Sequence, residues 1–164
     1  MAINGFVNFG DIKGESTDKD HKDWVTIAGY HQSLSRAELV QPGPGGAGGQ
    51  KAGATHSGLS VVKRLDVATP KLYEACATGQ HIKEVTIDLV AAKGGPAYLT
   101  ITLKDVLIGS IFDDSDPVEN VQLPTEAVSL TYGAIEFTYR RQNADGSPAG
   151  NVTGKWDLTQ GAVA

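Results

Sequence analysis

Residues 13–24 read KGESTDKDHKDW, a run dense in charge that stops abruptly at Trp24. An apolar, alternating stretch follows it. By composition the block is a solvated loop between two strands, because its side chains gain more from water than from a pleated sheet. Its flanks fit that reading. Before it, Ile3, Gly5, Val7 and Phe9 alternate with Asn4, Phe6 and Asn8; after it, residues 24–33 form a weaker strand. A period of two places one face on a core and the other toward water or a partner.

The same period recurs along the chain. Val85, Ile87 and Leu89 alternate with Thr86 and Asp88. Leu99, Ile101 and Leu103 alternate with Thr100, Thr102 and Lys104. Val128, Leu130 and Tyr132, then Ile135, Phe137 and Tyr139, repeat it. Residues 55–65, 105–111 and 152–158 are weaker strand candidates. Many short strands between turn residues predict an all-β fold, a barrel or sandwich. One segment departs from this. Thr69-Pro70 followed by KLYEACATG reads as a short helix, with Thr69 as cap, Pro70 in the first turn and Gly79 as the left-handed stop. Leu72, Ala75 and Cys76 share one face, so the helix is expected to plug one side of a barrel, with Cys76 as packing rather than a reactive thiol.

A chain of 164 residues suits one domain over 1–164. With 14 Lys and Arg against 19 Asp and Glu, the net charge of −5 argues against nucleic acid as a partner. No stretch approaches the roughly 20 apolar residues of a membrane-spanning helix, so no membrane insertion is expected. The N-terminus has no basic region followed by an apolar core, so no standard signal peptide is expected either. A lone cysteine leaves neither an internal disulfide nor a cysteine-built zinc site.

Chemical motifs are few. Gly43, Gly45 and Gly48 match a GxGxxG spacing, but Pro44 interrupts it and no apolar helix follows, so no nucleotide cofactor is expected. Asp18, Asp20 and Asp23 lack calcium-loop spacing, and Lys19 and Lys22 interleave with them. His21, His31, His56 and His81 show no metal-ligand spacing. No catalytic, metal or cofactor residue is assigned. Lys63-Arg64 and Arg140-Arg141 read either as solvated strand ends or as interface cations. Trp156 is expected in the core. The stretch QPGPGGAGGQKAGA, residues 41–54, is too poor in apolar side chains to build a core and reads as an extended loop.

The order of these pieces closely resembles the Hcp (haemolysin-coregulated protein) family of type VI secretion. The resemblance rests on GDIKGES, DKDHKDW, the polar-aromatic patch from Gly29 to Ser35, LDVATPKLYEACATGQHIKEVTIDL, GAIEFTYRRQNADGSPAG and the closing GKWDL. It implies a β-barrel of two antiparallel-type sheets with one flanking helix and an extended glycine-rich loop. It implies homo-hexameric rings that stack into a tube, partnered by a spike protein, sheath and baseplate, and secreted effectors carried in the lumen. It further implies a bacterial cytoplasmic protein exported through that apparatus, with no catalysis of its own. Tyr30, His31, Gln32 and Ser33 then fall on a lumen-lining strand, where His31 is either a cargo contact or a plain wall residue. Gly43, Gly45, Gly46, Gly48, Gly49, Gln50 and Lys51 fall on the loop that reaches the adjacent ring. The alternative from the residues alone is a monomeric β-barrel binding a small ligand; a metal-assisted hydrolase built on scattered His and Asp is a third.

Overall fold

The structure, a computed structural model, describes residues 4–36, 54–91, 95–114, 124–145 and 147–160. The glycine-rich positions from Gly43 to Lys51 lie outside them. The elements are β1 (Asn4–Asn8), β2 (Val25–Arg36), β3 (Ala54–Arg64), α1 (Thr69–Thr78), β4 (Ile82–Val90), β5 (Ala97–Asp114), β6 (Thr125–Thr131), β7 (Ala134–Gln142) and β8 (Pro148–Asp157).

The expected barrel is there. Pairing runs β4-β1-β2-β3-β6-β5, and β4 pairs again with β5, closing a ring of antiparallel strands; β7 and β8 continue outward from β5. β5 belongs to two sheets. Up to Val106 it pairs with β4 and β7, and from Leu107 onward it pairs with β6. The switch falls at Asp105, whose φ of 54° turns the chain within a continuous strand. Sequence alternation breaks there, which is why it yields two short strands in place of one long one. Inside the barrel, Val7, Val25, Leu59, Val61, Ile87, Ile101, Leu103, Val128 and Leu130 form a closed apolar core.

α1 packs on β5, burying Leu72 and Ala75, with Cys76 half-buried against the core. Gly79 ends it in the left-handed region at φ 66°. The N-terminus differs from expectation: the cap position is Ala68, and Thr69 caps nothing. The Thr69 hydroxyl instead accepts from the Asp66 N–H and donates to Glu126 Oε1, both at 3.1 Å. On the exposed side, the Tyr73 hydroxyl donates to Asp113 Oδ2 at 2.5 Å, and that carboxylate pushes the phenol up to about 12.

Two charged segments are less solvated than their letters suggest. Lys63 is 0% exposed, pairing with Glu126 and, at 2.8 Å, with Asp66, while its neighbour Arg64 is exposed. Residues 13–24 are not a solvated loop throughout. Ser16, Asp18 and His21 are buried because the loop folds back over the outer side of β1 and β4. There Phe6 stacks on His21 at 4.5 Å, and Trp24 meets that ring edge-on.

Candidate functional site: the outer face of the β2–β3–β6–β5 sheet

Alternation on these four strands turns Leu59, Val61, Lys63, Glu126, Val128 and Leu130 into the barrel, so their neighbours point out. The registers then align residues far apart in sequence. His31 pairs with Ser60, Ser60 with Ser129, and Ser129 with Ser110, a row of one imidazole and three hydroxyls across four strands. The adjoining row is Gly29, Val62, Ala127 and Phe112, and Phe112 is 68% exposed. Both rows are free of Asp, Glu, Lys and Arg. Nothing in the local sequence around Ser60, Ser110 or Ser129 marks them as one row; only strand register brings them together.

The four residues proposed for the lumen divide between two faces. His31 and Ser33 are exposed on the outer side. Tyr30 packs against the core, and Gln32 donates to the Tyr132 hydroxyl at 3.3 Å. Burial raises the Tyr132 phenol, opposed by the Gln32 hydrogen bond. Ser33 and Ser57 hold each other: their hydroxyls are 2.6 Å apart, and Ser57 also donates to the Ser33 carbonyl at 3.0 Å. Since Ser57 gives its proton to the backbone, Ser33 is the donor between the two hydroxyls. This pair lies beside an irregularity in the β2–β3 register and beside Gly58, whose φ of 81° suits glycine. The result is a polar concavity of about 670 Å³ lined by Tyr30, His31, Gln32, Ser33 and Ser57 among others.

A second, more apolar groove of about 540 Å³ lies between the far ends of β2 and β3 and the β7–β8 hairpin, lined by Leu34, His56, Ile135, Phe137 and Trp156. Trp156 is half-buried, packed against the core from outside and paired with Ile135. Its place in the core is partial: β8 lies outside the closed barrel. Trp156→Ala is therefore expected to cost about 1–2 kcal/mol, less than the roughly 3–5 of a fully buried tryptophan. A urea-unfolding loss above about 3 kcal/mol would place Trp156 energetically in the core.

Among the described residues, neither side of this sheet has a further strand partner along its far part. β1 meets β2 only from Val25 to Ile27, so β2 beyond Ile27 pairs on its β3 side alone. From Leu107 onward, β5 pairs with β6 alone, with α1 packed beside it and Tyr73 bonded to Asp113. Among the described residues, no group of three or more His, Cys, Asp or Glu is placed to hold a metal ion.

A closed antiparallel barrel with one sheet extended past its closure is the class of fold. Comparison with known proteins supplies the family. The family model described as type VI secretion system effector, Hcp, matches residues 6–139. Protein hcp1 of Pseudomonas aeruginosa is 32% identical over 167 residues, spanning 100% of both chains. A solved structure described as a type six secretion system protein superposes with a TM-score of 0.86 at 22% identity, covering 99% of this chain and 100% of that one. Hcp1 from Salmonella typhimurium gives 0.79 at 21% identity, with 100% of each chain covered. The chain belongs to the Hcp family, the tube proteins of type VI secretion.

Proposed function

We propose that this protein forms hexameric rings that stack into the inner tube of a type VI secretion apparatus, and that the β2–β3–β6–β5 face lines its lumen. The observation that carries this reading is the pair of edges without a further strand partner among the described residues. Adjacent strands in this sheet are all antiparallel, so β2 and β5 at its two sides run in opposite directions. The β5 edge of one copy therefore continues the antiparallel order onto the β2 edge of the next. Such a contact is heterologous and closes into a ring. It also covers two edges that would otherwise template aggregation. Six copies would supply a wall of about 24 strands; at ~4.8 Å per strand its circumference is roughly 115 Å and its diameter roughly 37 Å, before strand tilt is counted. A channel of that width admits a small folded protein.

In this reading the neutral hydroxyl row faces the cargo, and stacked rings engage the spike, sheath and baseplate. The protein is made in the bacterial cytoplasm, leaves through the apparatus, and contributes no catalysis. The monomeric ligand-binding alternative finds no support in the barrel interior, which is filled by side chains such as Val7, Leu59 and Ile101.

The test is light scattering coupled to size exclusion, with negative-stain imaging, on the wild type and on Phe112→Asp. Phe112 is exposed on that far part of β5, so its replacement is expected to change subunit stability by no more than about 0.5 kcal/mol. Rings are expected for the wild type and monomers for the variant. A wild type that stays monomeric at every concentration overturns the proposal.

A further inference from the structure

The charged loop of residues 13–24 holds a buried histidine with a carboxylate on each ring nitrogen. His21 is 4% exposed. Its Nδ1 lies 2.9 Å from Asp18 Oδ1, and its Nε2 lies 3.0 Å from Asp88 Oδ2. Phe6 of β1 covers the ring face and Trp24 meets its edge, so neither adds a charge.

The neighbours fix the direction of the donors at Asp88 Oδ1 and Asp18 Oδ1. The Arg140 guanidinium of β7 donates to Thr100 Oγ1 at 2.7 Å, which leaves the Thr100 hydroxyl of β5 to donate to Asp88 Oδ1 at 2.5 Å. Asp88 is thus an acceptor on that oxygen. Asp18 Oδ1 already accepts the backbone N–H groups of Asp20 and His21, at 3.1 and 3.2 Å. Both carboxylates present lone pairs to the ring. A neutral imidazole has one N–H and one lone pair, so one of its two buried contacts would set lone pair against lone pair. Only the imidazolium donates to both.

We infer that His21 is a proton-dependent clamp: as an imidazolium between Asp18 and Asp88 it fastens the 13–24 loop onto β4, and loss of its proton loosens that loop. The charged side chains nearest in sequence, Lys19, Asp20, Lys22 and Asp23, are exposed and do not replace either carboxylate. From the barrel side, Asp88 and, behind Thr100, Arg140 are the charged groups in the network. Asp18 supports the same picture, since the hydrogen bond from His21 is the largest cause holding its carboxyl below the usual range. A depressed carboxyl adds stability above its unfolded value that is lost as pH falls through the folded one, so docking of the loop is expected to weaken in acid. This inference stands independently of the ring reading, since every partner lies within one chain.

Nitrogen-15 NMR of the histidine rings in the full-length protein decides it, with His21→Gln assigning the signal. At pH 7 both His21 ring nitrogens are expected to carry protons; one bare ring nitrogen at that pH overturns the clamp. Amide hydrogen exchange gives a second readout. In His21→Gln, amides of residues 14–24 are expected to exchange at least about tenfold faster, with those of Leu59, Val61 and Leu130 unchanged. Loop exchange equal to wild type also overturns it. Should the variant fail to fold, His31→Gln, His56→Gln and His81→Gln assign the His21 signal by exclusion, and the wild-type ring spectrum still decides.

Discussion

Lys63→Ala is expected to destabilise the subunit by about 3–5 kcal/mol, the range for breaking a buried ion pair from one side. The Lys63 ammonium is fully buried and has three partners: Glu126, Asp66 at 2.8 Å and Thr69 Oγ1 at 3.1 Å. Its three protons match those three acceptors. Glu126 is 1% exposed, and its Oε2 already has no hydrogen-bond partner among the described residues. Without Lys63, that carboxylate stays buried with only the Thr69 hydroxyl to support it. The loss falls where β3, β6 and the entry to α1 meet, so it is expected to loosen the helix as well as the sheet. Truncation and replacement have different consequences. Lys63→Met combined with Glu126→Leu removes the two most buried charges and leaves Asp66 held by the Ala68 N–H; it is expected to recover much of the stability, because well-packed apolar pairs often match buried ion pairs. Urea unfolding at constant m-value checks both variants. A loss below about 1.5 kcal/mol for Lys63→Ala would mean that water reaches Glu126 and the pair is not sealed.

The same pair shows where sequence stops informing structure. Leu59, Val61 and Val128 announce their inward direction by type and spacing, and Gly79 marks the helix end by the conformation it alone adopts cheaply. Lys63 has the same parity as Leu59 and Val61, which places it inward too, yet its charge argues for water. The partner that resolves the conflict, Glu126, arrives from another strand through the β3–β6 register. His21 is the same case: Asp18 is local, but Asp88 comes from β4. The hydroxyl row needs still more, since His31, Ser60, Ser129 and Ser110 align only when three registers are known. Strand existence and the direction of apolar side chains are properties of single segments, so they are legible. Polar networks and outward rows are properties of pairings, and the chain states those only after folding. The order of motifs supplies the family directly, because a family resemblance carries the registers implicitly.

Gly14→Ala is expected to cost about 2–3 kcal/mol, the upper range for forcing an extra group into a filled site. A Cβ built at Gly14 would press on the Trp24 carbonyl oxygen, and would lie 2.6 Å from the Trp24 carbonyl carbon and 2.7 Å from Val25 Cα. All three are backbone atoms, so no rotamer change can clear the space. The approach is this close because the loop zips against the start of β2: Gly14 N–H donates to the Asp23 carbonyl at 2.8 Å, and Ser16 N–H to the Trp24 carbonyl at 3.0 Å. Asp23 turns the chain there with a φ of 61°, a conformation an aspartate tolerates and most side chains resist. Pushing Gly14 away would lengthen both bonds and shift His21 relative to Asp88. The glycine of the KGES motif therefore acts through close approach, and the clamp depends on it. Gly154→Ala is the matched control, since a Cβ there meets nothing within 4 Å; it is expected to be neutral or to stabilise by up to about 1 kcal/mol through the unfolded chain. Equal urea midpoints for the two variants would show that the loop re-routes around the added methyl. A Gly14→Ala protein that loses stability and also exchanges its loop amides faster would tie the close approach to the docking of residues 13–24.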